Sequence, residues 1–113
     1  GQGCVVCAGL VLAVEAQEGT DAMLARVAGL APEIRGAPGA RRGVLVKRPK
    51  PIQDLRIDLP TIGQRTIEGA AAAGLAGVAV EAGGALIIDQ GETIGLADRL
   101  GVFVYGFSPG AGT

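Results

Sequence analysis

The chain has 113 residues and a formal net charge of −1; 49% of its residues are hydrophobic, 3% are aromatic, and histidine is absent. This length suits one domain with a single core. The composition lacks the basic stripe and aromatic platform of a nucleic-acid-binding protein and the run of about 18–20 apolar residues that a membrane span needs. Without histidine a His-based catalytic triad is excluded, and with so few aromatic side chains we expect a core of Val, Ile, Leu and Ala, which suits a buried sheet covered by helices.

The first third of the chain predicts a β-hairpin followed by a helix. A β-branched run over 3–8 and a loosely alternating run over 10–16 predict two paired strands. Apolar residues then recur at helical spacing over 21–31. Thr20 is predicted to cap this helix, and Asp21 lies in its first turn, where the helix dipole favours an anion.

Cys4 and Cys7 are the two cysteines of the sequence, and both lie in the first predicted strand. Residues three apart in a strand point to opposite faces, which argues against a disulfide between them. A shared metal site would lack further Cys or His ligands. We therefore expect two reduced thiols, which fits a cytoplasmic protein.

The middle of the chain contains a polar segment and an apolar one. Residues 33–42 combine two glycines, one proline and three arginines with little apolar content. This composition predicts a loop, and it is the stretch of the chain most prone to disorder. Residues 43–47 contain the run V-L-V, which predicts a fully buried third strand.

The second half predicts two successive helix–strand units. A helix is predicted over 61–73, with Thr61 and Gln64 at capping-box spacing and Gly74 as its C-terminal stop. The pattern T-I-x-x-A-x-x-x-G that ends at Gly74 recurs over 93–101. The remaining predicted elements are strands over 78–81, 86–88 and 102–107 and a helix over 92–100.

These elements together predict an α/β domain with a mixed, largely parallel sheet, flanking helices and right-handed crossovers. We expect one domain over 1–107 and a flexible tail over 108–113. Because the sequence begins inside a predicted strand, we also expect it to be part of a longer protein.

Charge is densest in the segment 47–63, which also contains three prolines. Each proline fixes its own φ and favours an extended conformation for the preceding residue, so the segment is predicted to be a stiff, extended loop. Its two carboxylates, Asp54 and Asp58, are flanked by cations, an arrangement that suits phosphate and metal chemistry. The alternative is a solvated connector whose prolines merely end a strand.

Three motifs of the sequence are similar to those of a known enzyme family. The run P-K-P-I-Q-D-L-R-I-D-L-P-T-I-G over 49–63, the run V-E-A-Q-E-G-T-D-A-M over 14–23 and the run G-L-A-G-V-A-V-E-A-G over 74–83 resemble motifs of the LpxI-type UDP-2,3-diacylglucosamine pyrophosphatases of lipid A biosynthesis. The likeness covers nearly the whole chain in the same order. It departs at Ile52, where the family pattern has Gly, and at Gln64, where it has Pro.

The resemblance implies hydrolysis of UDP-2,3-diacylglucosamine to UMP and 2,3-diacylglucosamine 1-phosphate (lipid X). It also implies that the chain is the C-terminal, catalytic domain of a two-domain enzyme, lacking an N-terminal domain, so that the fragment alone is expected to be inactive. A homodimer is expected, with peripheral membrane contact through the lipid substrate at the cytoplasmic face of the inner membrane. No nucleic acid partner is expected.

The resemblance and the chemistry of the reaction together suggest roles for individual residues. Asp58 is the first candidate for the catalytic carboxylate, either binding metal or orienting water, and Asp54 is the second. Mg²⁺ is the expected cofactor because it prefers oxygen ligands, and its candidate ligands are Asp58, Asp54 and Glu18. The candidate substrate- or phosphate-binding residues are Lys47, Lys50, Gln53, Arg56, Thr61 and Glu81.

Other readings of the same residues stay open. Asp58 could cap the following helix or pair with Arg56, and Asp21 could simply cap its own helix. The chain could also be a non-catalytic nucleotide- or lipid-binding module of a larger protein. A dimerisation domain is a further possibility, because the Ala- and Gly-rich helix faces suit close packing.

Overall fold

The computed structural model describes residues 2–37, 39–48, 61–81 and 86–108. The strands are β1 Gln2–Cys7, β2 Leu10–Val14, β3 Gly36–Ala37, β4 Ala40–Arg41, β5 Val44–Arg48, β6 Thr61–Ile62, β7 Gly77–Glu81, β8 Leu86–Ile87 and β9 Phe103–Phe107. The helices are α1 Thr20–Ala28, α2 Pro32–Arg35, α3 Gln64–Ala72 and α4 Gln90–Leu100.

The main sheet has five strands in the order β2-β1-β5-β7-β9. The strand β1 is antiparallel to both β2 and β5, whereas β5, β7 and β9 are parallel to one another. The short strands pair separately, β3 with β4 and β6 with β8. The mixed α/β sheet predicted from the sequence is therefore confirmed. The expected boundary between a domain over 1–107 and a tail over 108–113 stays a prediction, because residues 109–113 lie outside the described part.

The repeated sequence pattern corresponds to two similar helix–strand units. After α3 the N–H of Leu75 donates to the carbonyl of Ala70 at 3.0 Å, and after α4 the N–H of Val102 donates to the carbonyl of Ala97 at 2.9 Å. This is the 6→1 hydrogen bond of a helix C-terminus that needs a left-handed residue at the intervening position. Gly74 has φ +74° and Gly101 has φ +75°. Both glycines therefore stop their helices, as the sequence predicted.

The three longer helices lie on one face of the sheet and cover the hydrophobic core. Val5, Leu45 and Val78 are side by side on β1, β5 and β7, and each is fully buried. Met23 of α1 and Ile67 of α3 are also fully buried and close this core from the helical side. The parallel part of the sheet thus has its helices on a single side.

The other face of the sheet carries apolar side chains without a covering helix among the described elements. Val14, Cys4 and Val46 are neighbours across β2, β1 and β5 and line a shallow apolar groove. At the far edge Tyr105 is 59% exposed. Parallel sheets are usually covered on both faces, so this face is unusually open.

In the part of the chain that the structure describes, no helix has the length and apolar character required to cross a bilayer.

Both cysteines are free thiols, as expected. Cys7 is buried, and Cys4 is half-buried on the open face of the sheet. A register shift between Val5 and Val6 adds a bulge to the β1–β2 pair. Burial raises the pKa of the Cys4 thiol, because the thiolate would be desolvated.

Two predicted helix starts are wrong. Gly19, not Thr20, is the N-cap of α1, and the Thr20 hydroxyl instead donates to the Glu15 carboxylate at 2.6 Å. Thr61 belongs to strand β6, so the helix predicted from 61 begins only after Gly63. The expected Thr61–Gln64 capping box is absent from this helix start. The Gly63 N–H is satisfied by the Thr66 hydroxyl at 3.4 Å, which is half of a capping box shifted by two residues.

The arginine-rich segment 33–42 is more ordered than predicted. It forms α2 and the β3–β4 hairpin, apart from Pro38, which lies outside the described residues. Arg35 donates to the carbonyl of Ala73 at 3.3 Å, and Arg41 donates to the carbonyl of Ala71 at 2.9 Å. The last carbonyls of a helix lack intrahelical partners and attract cations. These arginines therefore complete the C-terminus of α3, which their position in the sequence does not reveal.

Candidate functional site

A cavity of about 530 Å³ opens at the C-terminal end of β5. The N-terminal ends of α1, α3 and α4 border the same cavity. Its lining residues are Glu18, Gly19, Thr20, Asp21, Lys47, Thr61, Gly63, Gln64, Arg65, Thr66, Ile88 and Asp89. In α/β folds ligands usually bind where parallel strands end and helices begin, so this cavity is the candidate functional site.

Of the two cations in the described lining of this cavity, Lys47 is the more buried, with only 6% of its surface exposed. Its ammonium group donates to the carbonyl of Thr61 at 3.1 Å, which uses one of its three N–H donors. Burial lowers the pKa of Lys47, because the charged form loses solvation, and the charges of Glu15 and Asp21 partly oppose this effect. A buried ammonium near a cavity that can admit an anion is suited to phosphate binding.

The beginnings of α1 and α3 supply a second set of donors. The first N–H groups of a helix have no intrahelical partner, and the helix dipole adds positive potential there. Gly19 adopts φ +90°, a conformation that an L-residue rarely takes, and it places the start of α1 beside the cavity. Gln64 and Arg65 are the first two residues of α3 and also line it. Two helix N-termini at one cavity favour an anionic ligand.

Exposed polar side chains pair with each other at the rim of the cavity. The Arg65 guanidinium lies 3.7 Å from the Asp21 carboxylate, with side-chain exposures of 87% and 55%. Gln64 donates to the Glu92 carboxylate at 3.4 Å. Exposed pairs of this kind contribute only about 0–1 kcal/mol to stability. Breaking the Arg65–Asp21 pair therefore costs little free energy, so Arg65 can exchange its carboxylate partner for an anionic ligand.

Three residues predicted from the sequence meet at this cavity: Glu18, Lys47 and Thr61. Glu18 is held by Arg26 through two hydrogen bonds, 2.5 Å to one carboxylate oxygen and 3.0 Å to the other. The Arg26 guanidinium lowers the pKa of the Glu18 carboxyl, so the group is a carboxylate at neutral pH. To bind a metal ion, Glu18 would have to exchange Arg26 for it.

Glu81 is placed elsewhere. Its carboxylate accepts a hydrogen bond from Arg48 at 3.1 Å, and it is absent from the described lining of the cavity. Val80 is the register partner of Lys47, so the adjacent Glu81 points to the opposite face of the sheet. This position does not support a contact between Glu81 and a ligand in the cavity. The predicted role of Glu81 in substrate binding stays a prediction.

The remaining predicted residues lie outside the described part of the chain. They are Lys50, Gln53, Asp54, Arg56 and Asp58. Lys47 precedes this segment and Thr61 follows it, and their hydrogen bond joins its two flanks at the cavity. Within the described ranges no group of three or more His, Cys, Asp and Glu side chains is placed to hold a metal ion.

Arg65 and Asp89 are among the lining residues that the sequence patterns missed. Arg65 looks like an ordinary exposed helix residue, and only its position in the first turn of α3 brings it to the cavity. Asp89 adopts φ +47°, a left-handed conformation that Asp tolerates better than most residues. Asp89 and Gly91 directly follow the strand predicted over 86–88, and such residues are typical of turns, so the sequence could have suggested this conformation. The position of Asp89 beside α1 and α3 depends on the fold.

Comparison with known proteins connects this domain to one family. The profile of the LpxI C-terminal domain matches residues 1–105. Over 109 residues the chain is 63% identical to the UDP-2,3-diacylglucosamine pyrophosphatase LpxI of Caulobacter vibrioides. The aligned region covers 96% of this chain but 39% of that relative, so the chain spans well under half of the relative's length. The resemblance seen in the sequence motifs is confirmed, and the chain belongs to the LpxI C-terminal domain family.

Proposed function

We propose that this chain provides the catalytic domain of a UDP-2,3-diacylglucosamine pyrophosphatase, releasing UMP and lipid X. The observation that supports the proposal most is the cavity that combines the buried Lys47 ammonium with the N-termini of α1 and α3. A pyrophosphate is the kind of anion that such a set of donors binds. The name of the relative supplies the substrate class.

In the proposed reaction a water oxygen bonds to one phosphorus atom, and the bridging P–O bond on that phosphorus breaks. The leaving phosphate oxygen retains the electron pair of that bond, and the attacking water loses a proton. Lys47 and the helix N–H groups would offset the negative charge that increases on the phosphate oxygens. Asp58, or failing it Asp54, would orient the attacking water.

We further propose Mg²⁺ as the cofactor, held by Asp58 and Asp54 with Glu18 from the described part of the cavity. The oxygen chemistry of these side chains fits Mg²⁺, and Glu18 already lines the cavity as a carboxylate. When bound, the ion would neutralise phosphate charge and orient the substrate. The homodimer, and a position at the cytoplasmic face of the inner membrane through the lipid substrate, also stay proposals.

The test is the substitution Asp58→Ala in the full-length protein that contains this domain. We expect turnover of UDP-2,3-diacylglucosamine with saturating Mg²⁺ to fall by about 10²–10³ or more, because a group that acts mainly in the transition state is lost. Substrate binding and the melting temperature should change little. Arg56→Ala is the matched variant: it should weaken binding if Arg56 holds phosphate.

Near-full turnover of the Asp58→Ala protein would contradict its assignment and make Asp54 the leading candidate. Unfolding of the variant would instead favour the capping role that the sequence left open. If neither Asp58→Ala nor Asp54→Ala reduces turnover, while substrate still binds, the result would support the alternative of a non-catalytic binding module.

A further inference from the structure

A glutamate and a lysine face each other across a glycine in the sheet. The N–H of Glu15, just after β2, donates to the carbonyl of Gly3 on β1 at 2.8 Å. Gly3 is in turn the register partner of Lys47 on β5. Glu15, Gly3 and Lys47 therefore form one row across three adjacent strands, and neighbouring strands are about 4.8 Å apart.

The Glu15 carboxylate occupies the space that a side chain at Gly3 would need. A Cβ atom at Gly3 would lie 3.1 Å from the Glu15 Oε1, 3.4 Å from Leu45 Cδ1 and 3.5 Å from Met23 Cε. Leu45 and Met23 are fully buried beneath the helices. Lys47 is two residues along β5 from Leu45 and points to the same face. The carboxylate and the ammonium side chain thus share the helix-covered face, on either side of Gly3.

A hydrogen bond fixes the carboxylate in this place. The hydroxyl of Thr20 donates to the Glu15 Oε1 at 2.6 Å. A hydrogen bond to an ionised acceptor is stronger than one between neutral groups, so it restrains the rotamer of Glu15. Thr20 itself lines the cavity at the start of α1. The Thr20–Glu15 hydrogen bond therefore connects the end of β2 to the start of α1.

Several charged groups surround Lys47 from the elements packed against it. Glu15 after β2 and Asp21 on α1 favour its charged form. The carbonyl of Thr61 on β6 accepts its hydrogen bond. Glu18 and Arg65 also line the cavity, but each is engaged at the rim, by Arg26 and Asp21 respectively. Of the two flanking carboxylates, Glu15 belongs to the row beneath the cavity, and Asp21 is at the exposed rim.

We propose that Glu15 is a positioning residue which, acting across the space left open by Gly3, keeps the Lys47 side chain charged and directed at the cavity. The proposal rests on the proposed function, in which Lys47 binds a phosphate group of the substrate. It also assigns a reason for glycine at position 3: a Cβ atom there would crowd the carboxylate, and a larger side chain would compete with it for the same space.

The first test measures Lys47 directly and needs no substrate. Lys47 and Lys50 are the two lysines of the sequence, so the Cε resonances of a ¹³C-lysine-labelled chain can be followed against pH by NMR. Glu15→Gln keeps a carbonyl that can accept from Thr20 but removes the charge. We expect it to lower the pKa of Lys47, because the charge of Glu15 favours the ammonium form.

The matched control is Glu81→Gln, which removes a strand-end carboxylate on the opposite face and should leave the pKa of Lys47 unchanged. Gly3→Ala is the second variant, and it should lower the pKa of Lys47 less than Glu15→Gln does, because the added methyl group would shift the carboxylate by only a few tenths of an ångström. An unchanged Lys47 titration in folded Glu15→Gln would overturn the proposal, and so would an equal shift in Glu81→Gln.

A second test separates the proposal from the proposed function. In the full-length protein we expect Glu15→Gln to raise KM for UDP-2,3-diacylglucosamine and to move the alkaline fall of kcat/KM to lower pH. If the pKa of Lys47 falls while KM and the pH profile do not change, Glu15 is a positioning residue for Lys47 but Lys47 does not bind substrate phosphate. If both respond, the two proposals stand together.

Discussion

At the scale of single residues, burial of the Lys47 ammonium group suits ligand binding but reduces the stability of the folded chain. A buried ammonium with 6% exposure has lost most of its solvation, and its pKa is lowered for that reason. The folded chain therefore releases the Lys47 proton at a lower pH than the unfolded chain does. Stability is reduced below the folded pKa of Lys47, and the reduction disappears as the pH rises through that value towards the usual ~10.4.

Lys47→Met tests this conflict, since methionine is unbranched and fills a similar space. We expect the free energy of unfolding at neutral pH to stay the same or increase, because no charge remains to be buried. Phosphate affinity and turnover should fall, the latter by about 10²–10³ if Lys47 acts on the transition state. Melting curves between neutral and alkaline pH, together with turnover of the full-length variant, measure both effects.

Arg48→Met is the control for Lys47→Met. Arg48 follows Lys47 on the same strand, has a side chain that is 60% exposed, and points to the other face, where it pairs with Glu81. Its loss should change stability by about 0–1 kcal/mol and leave turnover intact. A large loss of stability in Lys47→Met, with turnover preserved, would show that Lys47 is a structural residue and would contradict its assignment to the site.

At the scale of elements, the end of α3 is a junction at which two backbone segments pack closely. Gly74 has φ +74°, and a Cβ atom there would overlap the carbonyl oxygen of Gly36. Gly36 has φ +97°, and a Cβ atom there would lie 2.6 Å from the Arg42 nitrogen and 2.7 Å from the carbonyl oxygen of Gly74. In addition, the N–H of Arg42 donates to the carbonyl of Gly74 at 3.0 Å. The arginine-rich segment and the C-terminus of α3 therefore pack with backbone against backbone.

Gly74→Ala should destabilise the domain by more than about 2 kcal/mol. The left-handed conformation alone costs an L-residue roughly 1–2 kcal/mol, and the added methyl group would meet backbone, which cannot move aside easily. For a domain of this size, each 1 kcal/mol corresponds to about 4–8 °C in Tm. A melting curve of the purified chain gives the answer.

The matched variant for this junction is Gly91→Ala. Gly91 lies near the start of α4, and a Cβ atom there would have no neighbour within 4 Å. Alanine favours a helix by about 1 kcal/mol over glycine, so this variant should melt at the same temperature as the wild type or higher. Equal melting temperatures for Gly74→Ala and Gly91→Ala would show that the close approach at Gly74 is not important for stability.

At the scale of the whole molecule, the sheet has helices on one face, and the chain spans 39% of the length of its Caulobacter relative. Lys47 and Thr61, which flank segment 49–60, both line the described cavity. A diacylated nucleotide sugar needs a larger enclosure than this cavity of about 530 Å³ offers. The rest of the substrate pocket would then come from outside the described residues, and we expect part of it from the remainder of a longer protein.

We therefore expect the 113-residue chain by itself to show little or no pyrophosphatase activity. The measurement is UMP release from UDP-2,3-diacylglucosamine by the purified chain, with the full-length protein assayed beside it under the same conditions. Turnover by the isolated chain at the full-length rate would contradict the expectation and place the complete pocket within this domain. A far-UV circular dichroism spectrum of mixed α/β type would show that the chain assayed is folded.

Local sequence signals determined most of the longer elements of this protein because their causes are local. Glycine at 74 and 101 stops a helix, because glycine takes left-handed φ at little cost. Apolar runs place β5 and β7 in the interior, and the repeated T-I-x-x-A-x-x-x-G pattern predicted two similar units. The family was also evident from the motifs, which are contiguous in the chain.

Only the tertiary structure decided which side chains meet. The row from Glu15 across Gly3 to Lys47 joins residues that are distant in sequence, and strand order alone makes them neighbours. Arg35 and Arg41 looked like loop residues because the helix end that they complete is about 30 or more residues away along the chain. Hydrogen bonds and buried charges depend on distance in space, and that distance is set by how the strands pair and which face the helices cover.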